Sequence, residues 1–257
     1  VNPLSKTGDG TIVYNSSNIN VATVDPNGKV TIKQAGSTTI TATVTDGNNY
    51  TYPIKTASYN LTINKLKVGV PTNLEISPTG IVTFTPGINS TNHEISLDKV
   101  NWTEFTSGSN YLNELTKEVG NRVIYFRAIN SDSINYLTPS DNVEKEIKVY
   151  KLNFNSNNTA MGTVEPANYN VISGVEITTN NNVLTLSDGR NITATPKEEY
   201  NFKKWSKTSG TITEETTITA NFSADTYLVT FDTNNCLNAK VSPTTKEVTY
   251  GSTYGTL

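Results

Sequence analysis

The chain has 257 residues, 35% of them hydrophobic and 17% charged, and a net charge of −3, with Asn and Thr together supplying more than a quarter of all positions. Interspersed charge of that size leaves no electrostatic footprint for nucleic acid or an anionic membrane, and no apolar run reaches the roughly 18 to 20 residues of a membrane span. Cys236 is the single cysteine, which excludes an intrachain disulfide. At roughly 100 to 200 residues per domain, the length predicts several small domains. Threonine suits a pleated surface through its branched β-carbon, and asparagine suits turns because it tolerates left-handed backbone and bonds locally. The composition therefore predicts strands joined by turns. A large extracellular protein without disulfides suits a bacterium better than a eukaryotic secretory pathway. The opening VNPLSK carries neither an initiator Met nor a signal peptide, which predicts a length of a longer chain.

Alternation of period two runs along almost the whole chain, and helical stripes are nearly absent. Ile12 and Tyr14, Val21 and Thr23, Val30 and Ile32, and then Ile40, Ala42 and Val44 each place apolar or branched side chains on one face. DPNG at 25 to 28 reads as a hairpin turn with Gly28 supplying positive φ. Further turns are predicted at Asp46-Gly47, Pro78-Thr79-Gly80, Gly120-Asn121 and Asp188-Gly189. Val123, Tyr125 and Arg127 alternate against Ile124, Phe126 and Ala128, so one set faces a core. The best helical candidate is 179 to 187, or a turn near 111 to 118, and neither has a convincing helical period. Strand alternation gives way to short linkers near 65, 150 and 225, which divides the chain into 1–65, 66–150, 151–224 and 225–257. The fold class is all-β: tandem immunoglobulin-like β-sandwich modules followed by a small β-rich module.

YNSSNINVATVDPNGKVTIKQAGSTTITATVTDG, Tyr14 to Gly47, followed by ASYNLTINK, resembles the group 2 bacterial immunoglobulin-like domain. In that reading Val21, Val24, Val30, Ile32, Ile40 and Val44 fill the core and Gly36 turns the chain between strands, with the family's first strand or two preceding Val1 or abbreviated. VPTNLEISPTGIVTFTP, NHEISLDKVNWTEF and NRVIYFRAINSDSINYLTPS, within 66–150, resemble a fibronectin type III or related immunoglobulin-like module, YFRAIN standing for its YxRAxN strand. Residues 151–224 resemble a divergent internalin-type B repeat through GTVEP, ITATPKEEYNFKKWS and TITANF. That family carries a glycine before the aromatic of its GYxFxxW segment, where this chain has Glu199 before Tyr200, Phe202 and Trp205. YLVTFDTNNCLNAKVSPTTKEVTYGSTYGTL, 227 to 257, resembles the opening of a further B repeat, and it is expected to be poorly packed or to borrow hydrogen bonds from a neighbour. These resemblances imply location and role class more than activity.

Enzyme chemistry finds little to stand on. His93 is the lone histidine, so a histidine-rich metal site is excluded, and a Cys236–His93 dyad would need two domains to dock. Glu198-Glu199 and Glu214-Glu215 are neighbours whose side chains point to opposite faces of a strand and cannot flank one bond. Asp25 and Asn27 before Gly28 form a fragment of a calcium loop whose later carboxylate is absent, so the hairpin turn accounts for them. GSTYG at 251 to 255 has its serine misplaced for a nucleophile elbow. A Lys–Asn isopeptide bond has no acid neighbour that sequence can name. Trp102 and Trp205 are the candidate ligand-binding residues, as stacking platforms for sugar, with cross-strand or core packing as the ordinary reading of each.

The sequence thus predicts a monomeric, non-catalytic segment of a secreted or cell-surface bacterial protein, without cofactor or metal and without membrane insertion. It would act as a stalk or display region in adhesion. The rivals are a module that binds host protein or glycan, and accessory domains of a large extracellular enzyme.

Overall fold

The computed structural model describes residues 6–45, 47–48, 53–236 and 240–255. It is all-β, 52% strand and 2% helix, in several sheets of the tandem β-sandwich kind. Two compact units emerge from the chain's contacts: residues 1–72, 85–106 and 125–143 form the first, and 73–84, 107–124 and 144–257 the second.

In the first unit, Gly36–Val44 is the middle strand of an antiparallel sheet between Ile12–Ser16 and Lys55–Ile63. The register sets Ile12 against Val44 and Ser16 against Ile40, and on the other side Gly36 against Ile63. Threonines at alternate positions of the middle strand let Ile40 and Ala42 point inward at 3% and 7% exposure. Over them lies a short hairpin, Ala22–Val24 with Val30–Ile32. Its turn is the expected one: Gly28, at φ +78, donates to Asp25 O at 2.9 Å, and Asp25 Oδ1 accepts the N–H groups of Asn27 and Lys29. Val21 and Ile40 reach the core as expected, whereas Ile32 is 59% exposed. It ends a three-residue strand and lines a cavity of about 390 Å³ with Ala35, Ile63, Leu66 and Tyr136. Gly36 begins a strand rather than turning between two, and a β-carbon there would stand 2.7 Å from Val21 Cγ2. The unit also holds Asn92–Ser96, flanked by Thr103–Glu104 and by the 125–129 part of the Gly120–Ile129 strand. Phe126 and Ala128 of that part are buried as the alternation predicts.

In the second unit, Val143–Ser156 pairs antiparallel with Asn168–Ile172 and parallel with Thr216–Ala224, which pairs in turn with Tyr200–Trp205. Opposite them is a five-stranded sheet in the order Gly162–Glu165, Asn191–Pro196, Val183–Leu186, Glu176–Asn180, Ser209–Thr211. Leu152, Phe154, Ile218 and Phe222 from one sheet meet Ile177, Leu184, Leu186 and Ile192 from the other in one continuous core. Segment 179–187, a helical expectation, is instead a hairpin, Thr179 opposite Leu184. Its alternating Val183, Leu184, Thr185, Leu186 favours a pleat, and Asn181 takes φ +52 at the tip. The other expectation yields a single helical turn, Leu112–Leu115, burying both leucines. Gly120-Asn121 opens the Gly120–Ile129 strand rather than forming a turn of its own. The turns at Pro78-Thr79-Gly80 and Asp188-Gly189 are present, with Gly80 donating to Ser77 O and Gly189 to Leu186 O, while Asp46 lies outside the described residues. The Thr226–Thr230 and Thr245–Thr249 strands pair with each other, and neither contributes a buried residue.

Glu199 adopts φ +66, the left-handed backbone that a glycine would take, and its carbonyl accepts the Asp225 N–H at 2.9 Å. Left-handed backbone costs a non-glycine residue roughly 1–2 kcal/mol, partly offset by the lower entropy of the unfolded chain relative to glycine. Glu199→Gly is therefore expected to raise stability by up to about 1 kcal/mol, read as a higher urea midpoint at unchanged slope. Ile192→Ala empties a fully buried position between the sheets and is expected to cost about 2–5 kcal/mol in the same measurement.

Candidate functional site

Trp102 sits in the first unit after a tight loop. Asp98 organises that loop: its carboxylate accepts the N–H groups of Val100 and Asn101 at 2.8 and 2.7 Å, the Asn101 amide at 2.6 Å and the Ser96 hydroxyl at 3.0 Å. Trp102 Nε1 donates to Lys99 O at 3.0 Å, and the Arg127 guanidinium lies 4.0 Å from the centre of its ring. Arg127 is held by Glu94 at 2.6 Å, its cross-strand partner. One face of the Trp102 ring is thus covered by a cation that is itself anchored. A second loop repeats the chemistry, with Asp132 accepting from Ile134 and Asn135. Asn135 in turn accepts the Ala35 N–H at 2.8 Å and, through its carbonyl, that of Leu66.

Trp205 is in the second unit, 2% exposed and tilted against Phe202 at 5.7 Å between ring centres. It is part of the core, with its indole N–H buried and without a hydrogen-bond partner among the described residues. Trp205 also lines a groove of about 490 Å³ together with Asn181 and Asn182 from a hairpin tip and Phe202, Lys203 and Lys204 from its own strand. Sequence reasoning singled out the tryptophan and missed the groove. The only local signal was the lysine density of KKWSK, since the asparagine run at 180–182 lies about twenty residues earlier and joins it only in the fold.

The remaining candidates are scattered. His93 is half-buried on the Asn92–Ser96 strand, and its Nε2 accepts the Gly87 N–H at 3.4 Å. Burial lowers its pKa. Glu198, Glu214 and Glu215 are exposed, Cys236 is exposed, and Asp25 and Asn27 belong to the hairpin turn. Among the described residues no three of His, Cys, Asp or Glu are placed to hold a metal. Among the described residues no helix is long and apolar enough to cross a membrane.

The N-terminal strands are an immunoglobulin-like domain of the bacterial adhesin kind, because residues 1–47 match the family described as intimin, immunoglobulin-like domain. Intimin of Escherichia coli O157:H7 is 45% identical over 58 residues, 23% of this chain, and intimin of Escherichia coli O111:H- is 41% identical over 56 residues, 22% of it. Each match spans 6% of the length of that intimin.

The two aspartate loops carry a pH signature. Hydrogen bonds from Asn101 and Val100 hold Asp98, and those from Asn135 hold Asp132, below the ordinary carboxylate range. The unfolded chain then binds more protons than the folded one below about pH 4, so stabilisation complete above that pH is lost as pH falls through the folded values. Asp98→Ala with Asp132→Ala is expected to flatten this acid limb in denaturant melts taken between about pH 5 and 2. An unchanged limb contradicts the assignment. His93 acts in a separate window: its lowered pKa makes the fold lose stability as pH drops below about 6.5, and His93→Gln removes that slope.

Proposed function

We propose that the chain is a non-catalytic segment of a bacterial secreted or cell-surface protein, serving as a stalk or display region in adhesion. The observation that carries this reading is the intimin-type immunoglobulin domain at residues 1–47. Residues 1–65 are read as a group 2 bacterial immunoglobulin-like domain, 66–150 as a fibronectin type III-like one, 151–224 as an internalin-type B repeat and 225–257 as part of another. Three physical features support it. The hydrogen-bonded strand ladders leave few long loops for proteases. The turns are closed by side chains of Asp, Asn and Ser, so they need neither metal nor disulfide. Adjoining elements are tied at the sequence linker itself, where Leu66–Lys67 pairs in parallel with Tyr136–Leu137 and Lys65 Nζ donates to Ser133 O at 2.5 Å.

The reading is tested by fusing the chain between an outer-membrane anchor and an epitope tag in a Gram-negative host. Antibody is expected to label intact cells, and the segment is expected to survive trypsin at concentrations that digest an unstructured linker of equal length. Retention of the tag inside the cell, or digestion at the linker's rate, contradicts it.

A further inference from the structure

We propose that the groove beside the Tyr200–Trp205 strand is a binding site for an anionic oligosaccharide. Its lining contains two lysines and three asparagines and no carboxylate, in a chain whose net charge is −3. Lys203 and Lys204 are exposed and take part in no ion pair among the described residues, so their charge is directed at solvent and at whatever enters. Asn182 spends one side-chain amide N–H on Ala194 O at 2.9 Å, and its side-chain Oδ1 and second amide N–H are unused among the described residues. Asn181 stands beside it at the hairpin tip with φ +52. Amides provide both donors and acceptors, which hydroxyl-rich sugars need, while lysines answer carboxylate or sulfate. Half-exposed Phe202 offers an apolar surface for a ring face, and buried Trp205, tilted against it at 5.7 Å between ring centres, lines the same groove. A volume of about 490 Å³ accommodates a few sugar units, within the ordinary range of roughly 300–1,000 Å³ for ligand clefts.

An extended acidic peptide would be the other polyanion to consider, adding a strand along the same edge. The strand is built against that. Its register shifts between Phe202 and Lys204, and two adjacent lysines stand at the break. A bulge and edge lysines are the devices by which sheets refuse a further strand. The lysines therefore face a ligand that binds through side chains rather than through backbone ladders. The site is independent of the display role, since a stalk needs no ligand groove, and the two tests read different properties.

The test uses the full chain carrying Trp102→Phe, so that Trp205 is the one fluorescent indole. It is titrated with an octasaccharide of hyaluronan, one of heparin, a neutral maltooligosaccharide and poly-L-glutamate. A saturable change is expected with at least one anionic octasaccharide, weakened by salt, and absent with the neutral sugar. A response to hyaluronan assigns carboxylate as sufficient, and a response to heparin alone assigns sulfate. Adding Lys203→Gln and Lys204→Gln is expected to weaken binding at least about tenfold through loss of charge-assisted contacts, with an unchanged urea midpoint because both side chains are exposed and unpaired. The proposal is overturned if neither octasaccharide saturates, if the double glutamine variant binds as well, or if poly-L-glutamate binds as tightly.

Discussion

The parallel pairing of Leu152–Ser156 with Thr216–Ala220 is the constraint on which the second unit depends. It joins segments about sixty residues apart, so its loop-closure cost is met before any local contact repays it. Of the segments between them, Asn168–Ile172 and Tyr200–Trp205 join this same sheet, while Gly162–Glu165, Glu176–Asn180, Val183–Leu186, Asn191–Pro196 and Ser209–Thr211 form the opposite one. The register puts Phe154 beside Ile218 and Leu152 beside Thr216, and a slip of one residue would turn the whole apolar set outward. Through Thr216–Ala224 the same pairing also fixes where Tyr200–Trp205 lies, and so where Lys203 and Lys204 point. The groove is a by-product of closing the sandwich.

A second theme is how a chain poor in apolar residues and without disulfides holds its turns. Small polar side chains take over backbone partners. Ser16 Oγ donates to Ala22 O at 2.7 Å within the first unit's core and meets Thr38 Oγ1 at 2.9 Å, so even buried hydroxyls are paired. The turn that follows recurs in the second unit. Asn18 O accepts from Val21 and Ala22, as Asn158 O accepts from Met161 and Gly162, before Thr23-Val24-Asp25-Pro26 in one case and Thr163-Val164-Glu165-Pro166 in the other. The asparagine side chain closes each turn, Asn18 Oδ1 accepting the Asn20 N–H at 3.1 Å and Asn158 Oδ1 that of Ala160 at 2.9 Å, bonds that only a short polar side chain can supply. This is why the high Asn and Thr content is compatible with ordered structure.

Adhesive stalks and ligand sites make different demands on a surface, and the two tryptophans illustrate the difference. Trp102 is bound up in a ladder of Glu94, Arg127 and its own loop, which stiffens an exposed sheet face. Trp205 is buried, and what it supports is a groove whose chemistry comes from its neighbours. The family match at residues 1–47 speaks to the immunoglobulin-like part and says nothing of residues 179–208. The groove rests on its own geometry.

Much was legible from residue order alone, because strand alternation and turn chemistry are local. Ile124, Phe126 and Ala128 face inward, Asp25 to Gly28 turns, and the all-β class follows from period-two patterning that side-chain direction enforces. Local rules failed where two local preferences compete or where a distant partner decides. Residues 179–187 carry no helical stripe, and their pairing with each other and with Asn191–Pro196 made them strands. Ile32 alternates correctly yet lies exposed, because burial depends on what covers a face and not on which face a residue occupies. Glu199 keeps a glycine's backbone because its carbonyl is tied to Asp225, a partner twenty-six residues on that no local pattern names. The sequence by itself determined the element type and the turn chemistry of this protein. Only the tertiary structure decided register, burial and the lysine-lined groove, since those are set by pairings between residues far apart along the chain.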